Sequence, residues 1–350
     1  MGTDAYLRAS LAASTQKTYA SAVSLYTAFC AERGYLMYPL RADHAAEWLT
    51  AMAESGGRTA STITMYKSAL HTLFDSSQSF ADTQPNPLAH PKLKRLLKGI
   101  SNAKAAPERV AATTRHTCSP LTFDIVRRLR AVHSDTQPRE VMMFAAIALA
   151  TAACMRPSEL LGSSTYPERT LTAQQIVFFA AAHSDATVTP GVGVTASRCS
   201  VHLLTTKTHL KGEERTVSAD EAVQALWRWF ILSGAQGSDV LFQLNGTPLT
   251  TNSLIGHLRR KLKHIGLGHL YVTGKCFRRG GASTLSALGA SAADIAVAGG
   301  WSANSNVWQQ HYANDPSVQR ARAIEMNAQM QRAVAITSSV SLGLVGLSSM

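Results

Sequence analysis

The chain has 350 residues, 45% apolar and 16% charged, enough for two domains and a real core, which describes a foldable globular protein rather than a disordered one. Its 34 Lys and Arg against 22 Asp and Glu leave a net charge of +12, which attracts a polyanion and makes nucleic acid the first candidate partner. Five cysteines without a CxxC pair argue against a disulfide framework or zinc finger, and the start, MGTDAYLRAS, has no apolar signal core, so a soluble, reduced, intracellular protein is expected, not secreted and not in a membrane.

Residues 14 to 33 open on Ser/Thr and place Tyr19, Val23, Tyr26 and Phe29 or Cys30 three to four apart, a helical stripe closed by Gly34. From Asp43, DHAAEWLTAMAESGG repeats the pattern through Ala46, Leu49 and Met52. From Ser61 a third run aligns Ile63, Tyr66, Leu70 and Leu73 or Phe74. A proline-marked loop then leads into KLKRLLKGISNAK, where Leu93, Leu96, Leu97 and Ile100 oppose Lys92, Lys94, Arg95 and Lys98. The expectation is a compact four-helix unit over residues 10–102 with one basic helix. Residues 103–120 lack apolar periodicity and carry two prolines, which reads as a linker.

The second region, 121–335, opens with LTFDIVRRLRAVH and the very apolar EVMMFAAIALATAAC, two helices by pattern. Residues 174–182 and 198–218 then change to alternating and β-branched runs, and the second reads as a hairpin turning around Leu210 to Glu213. Helices resume from Asp220 to about Gln331, and 336–350 is a Ser/Gly/Leu-rich tail. The fold class expected is therefore α+β: mainly helical, with a small sheet.

Charge is unevenly placed. Residues 92–130 hold ten Lys/Arg against Glu108 and Asp124, and 257–279 hold seven, Arg259, Arg260 and Arg279 among them, with no acid. Two such clusters in one chain point to a phosphate backbone rather than to a merely solvated face.

Four constellations can carry chemistry. Arg156 in CMRPSELLG sits where an apolar helix meets the next; alone it reads as structural. Lys207 in LLTTKTHLKGEERTV lies near a β-turn, where an ammonium is a movable proton donor. Lys275 and Arg278 are three apart in KCFRRGGA, which puts both on one helical face, and the Gly-Gly after them lets backbone or substrate approach closely. Trp301 follows Gly299-Gly300 and precedes Tyr312 by eleven residues. An arginine fork binds two phosphate oxygens, an indole N–H donates one more hydrogen bond, and a tyrosine oxygen is a nucleophile once deprotonated. His257, His264 and His269 are spaced 7 and 5 apart with no carboxylate nearby in sequence, so no metal site and no cofactor is expected. No GxSxG, GxxxxGK[ST] or GxGxxG run supports hydrolase, NTPase or dinucleotide chemistry.

Taken together these residues resemble the tyrosine recombinases, or phage-type integrases. The family's G-x-R-x-S-E-L type sequence is matched by Cys154-Met-Arg156-Pro-Ser-Glu-Leu except for the leading glycine, its hairpin lysine by Lys207 with Lys211 as the fallback, and its His-x-x-Arg box by Lys275-Cys-Phe-Arg278. Its His or Trp after a small pair is matched by Trp301, and its nucleophile by Tyr312. The resemblance covers about 10 to 330. It implies a SAM-like core-binding domain at 10–102, a mixed α/β catalytic domain at 121–335, and site-specific cleavage and rejoining of double-stranded DNA through a 3′-phosphotyrosyl link, without metal or ATP. It also implies Arg156, Lys207, Lys275, Arg278, Trp301 and Tyr312 as the site, tetramers on DNA that exchange a C-terminal helix (residues 316–331), and a free chain that is a monomer.

Two departures stand out: Lys275 replaces the usual His, and the Trp301 to Tyr312 gap matches recombinases of eukaryotic mobile elements. Location follows from the host, the nucleus in a eukaryote and otherwise the cytoplasm or nucleoid. An inactive DNA-binding protein of the same fold and a type IB topoisomerase remain alternatives.

Overall fold

The computed structural model describes residues 10–77, 85–110, 118–163, 166–181, 183–191, 193–206 and 212–301. Lys207, Lys211, Tyr312, the 316–331 segment and the 336–350 tail lie outside them. The chain divides into two compact units, Met1–Arg115 and His116–Met350.

In the first unit, helices α1 (Ala13–Arg33), α2 (Ala42–Glu54), α3 (Ala60–Ser77) and α4 (Pro91–Val110) follow the four expected runs. Gly34 closes α1 in the left-handed region at φ 67°, and the Tyr35 N–H caps the Cys30 carbonyl. Tyr26, Phe29, Cys30 and Leu49 are buried as the stripes predict, while Ala22 replaces Val23 on α1 and Ala45 and Trp48 replace Ala46 and Met52 on α2. The reason is Trp48, which is fully buried, meets Tyr26 edge-on at 5.2 Å and stacks on Tyr66 at 5.7 Å, so the largest ring sets the rotation of its helix. Ile63, Leu70, Leu93 and Ile100 complete the core. Helix α4 runs on to Val110, well into the segment read as linker; its AKAA stretch has high helix propensity, and propensity needs no apolar face.

The second unit is built on α6 (Pro138–Ala152), buried at every position from Val141 to Thr151. Around it lie α5 (Phe123–Arg130), α7 (Pro157–Leu160), α8 (Asp220–Ser233), α9 (Thr251–His264), α10 (Cys276–Ala287) and α11 (Ala292–Gly299). Strands β1 (Leu161–Ser163) and β2 (Tyr166–Thr170) form a short antiparallel pair. Strands β3 (Ile176–Phe179), β4 (Thr187–Val188), β5 (Arg198–Leu203) and β6 (Glu213–Val217) form an antiparallel sheet in the order β4-β3-β5-β6. The expected hairpin is β5-β6, paired from Cys199 opposite Val217 to Leu203 opposite Glu213. Strands β7 (Gln243–Leu244) and β8 (Thr247–Pro248) make a second small pair.

The glycines after Arg279 serve backbone packing. A Cβ on Gly280 would lie 1.8 Å from the Leu121 carbonyl oxygen, and one on Gly281 would lie 2.3 Å from that of Thr151 and 2.5 Å from the Cys154 thiol. Of the two readings of that Gly-Gly pair, close approach of backbone is the one realised: α10 lies against α6 and the strand of chain before α5. Among the described residues no helix is long and apolar enough to cross a membrane.

Candidate nucleic-acid cleavage site

The site is assembled where α6 ends. Cys154 adopts φ 49°, a left-handed conformation that costs a non-glycine residue about 1 kcal/mol or more. This is the position at which the motif pattern has glycine. The turn leaves two successive carbonyls, of Ala153 and Cys154, facing inward. Arg215 Nη1 donates to Ala153 at 2.9 Å and to Cys154 at 3.4 Å, and Arg278 Nη1 donates to Cys154 at 3.0 Å. Two cations thus replace the water that helix-end carbonyls require.

Arg156 follows as the N-cap of α7. Its N–H donates to Glu159 Oε2 at 2.8 Å, and its guanidinium pairs with Glu159 Oε1. Glu159 is 3% exposed and also faces Arg215 at 3.3 Å and Arg278 at 3.9 Å. Burial pushes this carboxyl up, but Arg215, Arg156, the Arg156 N–H and Arg278 together outweigh it, so it sits below its ordinary value and is ionised. One buried carboxylate therefore holds three guanidinium groups from three elements. A lone positive charge there would be far costlier than this network.

Arg278 lies on α10, 4% exposed. Burial, then the Arg156 and Arg215 charges, pull its value down to about 10 against the opposing pull of Glu159, so it stays charged at neutral pH. Its Nη2 is buried and has no hydrogen-bond partner among the described residues. Trp301, also buried, lays its ring 4.0 Å from the Arg278 guanidinium carbon. It reaches that place because Gly300 turns left-handed at φ 59° and Gly299 has no Cβ, which would lie 1.7 Å from the indole. Arg156 keeps about 30% of its side chain exposed, so of the two motif arginines one lines the surface and the other backs it.

Lys275 is not on the buried face with Arg278. It is the exposed N-cap of α10, although its backbone is already helical at φ −80° and ψ −17°. Arg279 is half-buried, and Arg260 is exposed. Arg259 donates Nη2 to the Val272 carbonyl at 2.8 Å, so part of its fork is committed to the fold. In the first unit Lys92, Lys94, Arg95 and Lys98 are all exposed on the polar side of α4.

Sequence reading missed Arg215 and Glu159. The alternation in β6 carries the signal for the first, since Arg215 shares the inward face with Val217. Glu159 lay inside a quoted motif, but only the fold shows it as the hub. No carboxylate lies near His257 in sequence, but Glu140 of α6 and His133 beyond α5 lie against it in the fold.

No family model matches the chain, and no curated protein does. Solved structures do. The XerH site-specific recombinase bound to palindromic difH substrate, in a post-cleavage complex, is 14% identical over 92% of this chain and 79% of its own, with a TM-score of 0.54. The same recombinase in its pre-cleavage complex with difH is 16% identical over 79% of this chain and 68% of its own, with a TM-score of 0.51. At that identity the likeness concerns the fold alone, which is α+β.

Proposed function

We propose that this chain is a site-specific DNA recombinase that cuts and rejoins DNA through a 3′-phosphotyrosyl intermediate. The observation that carries the reading is the shared carboxylate: Glu159 draws Arg156 and Arg278 to one point, with a buried guanidinium nitrogen left over and Trp301 behind it. Two forked cations at one point are what a pentavalent phosphate requires, because its charge grows on non-bridging oxygens as the nucleophile closes. The recombinase fold supports the reading.

In this mechanism Tyr312 gives up its phenolic proton to water and attacks the scissile phosphorus, forming the tyrosyl O–P bond as the P–O5′ bond breaks. Lys207 gives a proton to the departing 5′-oxygen. Arg156 and Arg278 neutralise the phosphate, and the Trp301 N–H adds a hydrogen bond. The exposed ammonium of Lys275 suits a phosphate ligand. A 5′-hydroxyl from a partner strand then attacks the phosphotyrosyl bond, restoring the phosphodiester and releasing Tyr312, so the link's energy is conserved without ATP or metal.

Binding rests on phosphates, with the exposed face of α4 and Arg260 among the contacts. The chain acts where the chromosome is, in the nucleus of a eukaryotic host or the nucleoid of a bacterial one. Self-association on DNA by exchange of residues 316–331 is supported by an apolar groove of about 820 Å³ in the second unit, lined by Phe123, Val217, Leu285 and Leu288 among others. Leu288 and Val297 expose 78% of their surface nearby in sequence, and apolar surface of that kind favours a partner helix.

The test is a nicked suicide duplex that traps the covalent link. The wild-type chain should form a protein–DNA adduct, and Tyr312→Phe should bind the duplex without forming one. An adduct formed equally by the Phe variant would remove Tyr312 from the mechanism, and DNA binding with no adduct from the wild type would make the chain an inactive binder of the same fold. Relaxation of supercoiled DNA without strand exchange would mark a topoisomerase.

A further inference from the structure

We infer that His133, Glu140 and His257 form a binding site for one divalent cation of the zinc class, separate from the cleavage site. Each offers a ligand atom, and the three atoms lie within 4.8 Å of one another. They come from the turn after α5, the first turns of α6 and the middle of α9, so no spacing in the sequence reveals them. His133 and His257 are 7% and 2% exposed, and their Nε2 atoms are 2.9 Å apart. His133 Nδ1 is 2.8 Å from the Leu129 carbonyl. A carbonyl only accepts, so Nδ1 carries the proton and the Nε2 lone pair points at His257. This is the second-shell arrangement that orients a metal-binding imidazole.

Two Nε2 atoms in contact need a proton or a cation between them. Zinc–nitrogen bonds of about 2.0 to 2.1 Å place tetrahedral ligands roughly 3.4 Å apart, a few tenths of an ångström beyond the present spacing. Glu140 supplies the negative charge. Its present partner is Lys261, which also donates to the Val132 carbonyl at 2.6 Å. Lys261 can therefore release Glu140 and keep a hydrogen bond. Glu140 and Lys261 side chains are 20% and 14% exposed, which gives an ion a way in and leaves a fourth position for water.

Glu140 and Cys154 are fourteen residues apart along and just beyond one helix, about 21 Å at 1.5 Å per residue. The ion thus takes no part in phosphoryl transfer. It would tie the end of α5 and the start of α6 to α9, as a structural zinc does.

The experiment uses the full chain, stripped with EDTA and dialysed, then titrated with zinc and with cobalt. Gel-filtered protein should retain one equivalent by atomic emission, cobalt should develop a visible spectrum, and Tm should rise. Glu140→Gln should weaken binding at least tenfold, and His133→Gln with His257→Gln should abolish it. Long-range ¹H–¹⁵N NMR of the wild-type histidines guards against misfolding of that double variant: zinc should shift the two Nε2 signals together. No retained ion, no shift at these nitrogens, or undiminished uptake by a folded double variant would each overturn the inference. DNA cleavage by the stripped protein should be unchanged, so failure here leaves the recombinase reading untouched.

Discussion

The guanidinium carbon of Arg278 lies 4.0 Å from the centre of the Trp301 ring, so the face of the indole stabilises a buried cation, a contact distinct from anything its N–H does. The two contributions can be separated. Trp301→Phe keeps a ring against Arg278 and loses the N–H, whereas Trp301→Ala loses both. The alanine variant should lose about 3 to 5 kcal/mol of stability in urea denaturation, and the phenylalanine variant less than half of that. Single-turnover cleavage should fall about 10²-fold in Trp301→Phe, the usual effect of removing one preorganised donor. Full cleavage by that variant would confine Trp301 to packing.

Arg215 is the third cation of the network, pairing with Glu213 and Glu159 and donating to Ala153 and Cys154. Arg215→Met should cost about 3 to 5 kcal/mol, because it leaves the buried Glu159 beside fewer cations and the Ala153 carbonyl without its cation. Equilibrium denaturation checks the cost. Restoring part of the stability with Glu213→Gln in the Met background would identify charge, rather than volume, as its origin.

The pH dependence follows from Glu159. Its folded value is depressed from the ordinary 4.5, so its contribution is fully present above that value and is lost as pH falls through the lower folded value. Glu159→Gln should be less stable than wild type at pH 7. The difference should shrink progressively on acidification below pH 4.5, which a series of Tm measurements would show.

Gly281→Ala adds a methyl group 2.3 Å from the Thr151 carbonyl oxygen and 2.5 Å from the Cys154 thiol. Moving α10 away costs about 1 to 3 kcal/mol or more, and it also moves the carbonyl that anchors Arg278. Both thermal stability and cleavage rate should fall. A variant that loses stability alone would show that the Arg278 anchor tolerates the shift.

Salt dependence reports on α4. Replacing Lys92, Lys94, Arg95 and Lys98 together with alanine should lower the slope of log affinity against log salt by about 3 to 4, at close to 0.9 per phosphate contact. All four are exposed, so the fold should be unaffected by circular dichroism. An unchanged slope would take this helix off the DNA.

What the sequence by itself determined is what depends on near neighbours. Helical stripes, the β5-β6 hairpin and the motif around Arg156, Arg278 and Trp301 were legible because periodicity and local motifs are carried by adjacent residues. The limits of α4 were not, since a helix without an apolar face shows no period. Only the tertiary structure decided how charges meet. Glu159, Arg215 and Arg278 come from α7, β6 and α10, and a buried carboxylate can collect three cations only once packing has excluded water. The same holds for Cys154, whose left-handed turn replaces an expected glycine, and for Lys275, which a spacing of three placed with Arg278 but which the fold leaves exposed while Arg278 is buried. His133, Glu140 and His257 make the point most directly: 124 residues separate the two imidazoles, and their proximity is a property of the packed core alone.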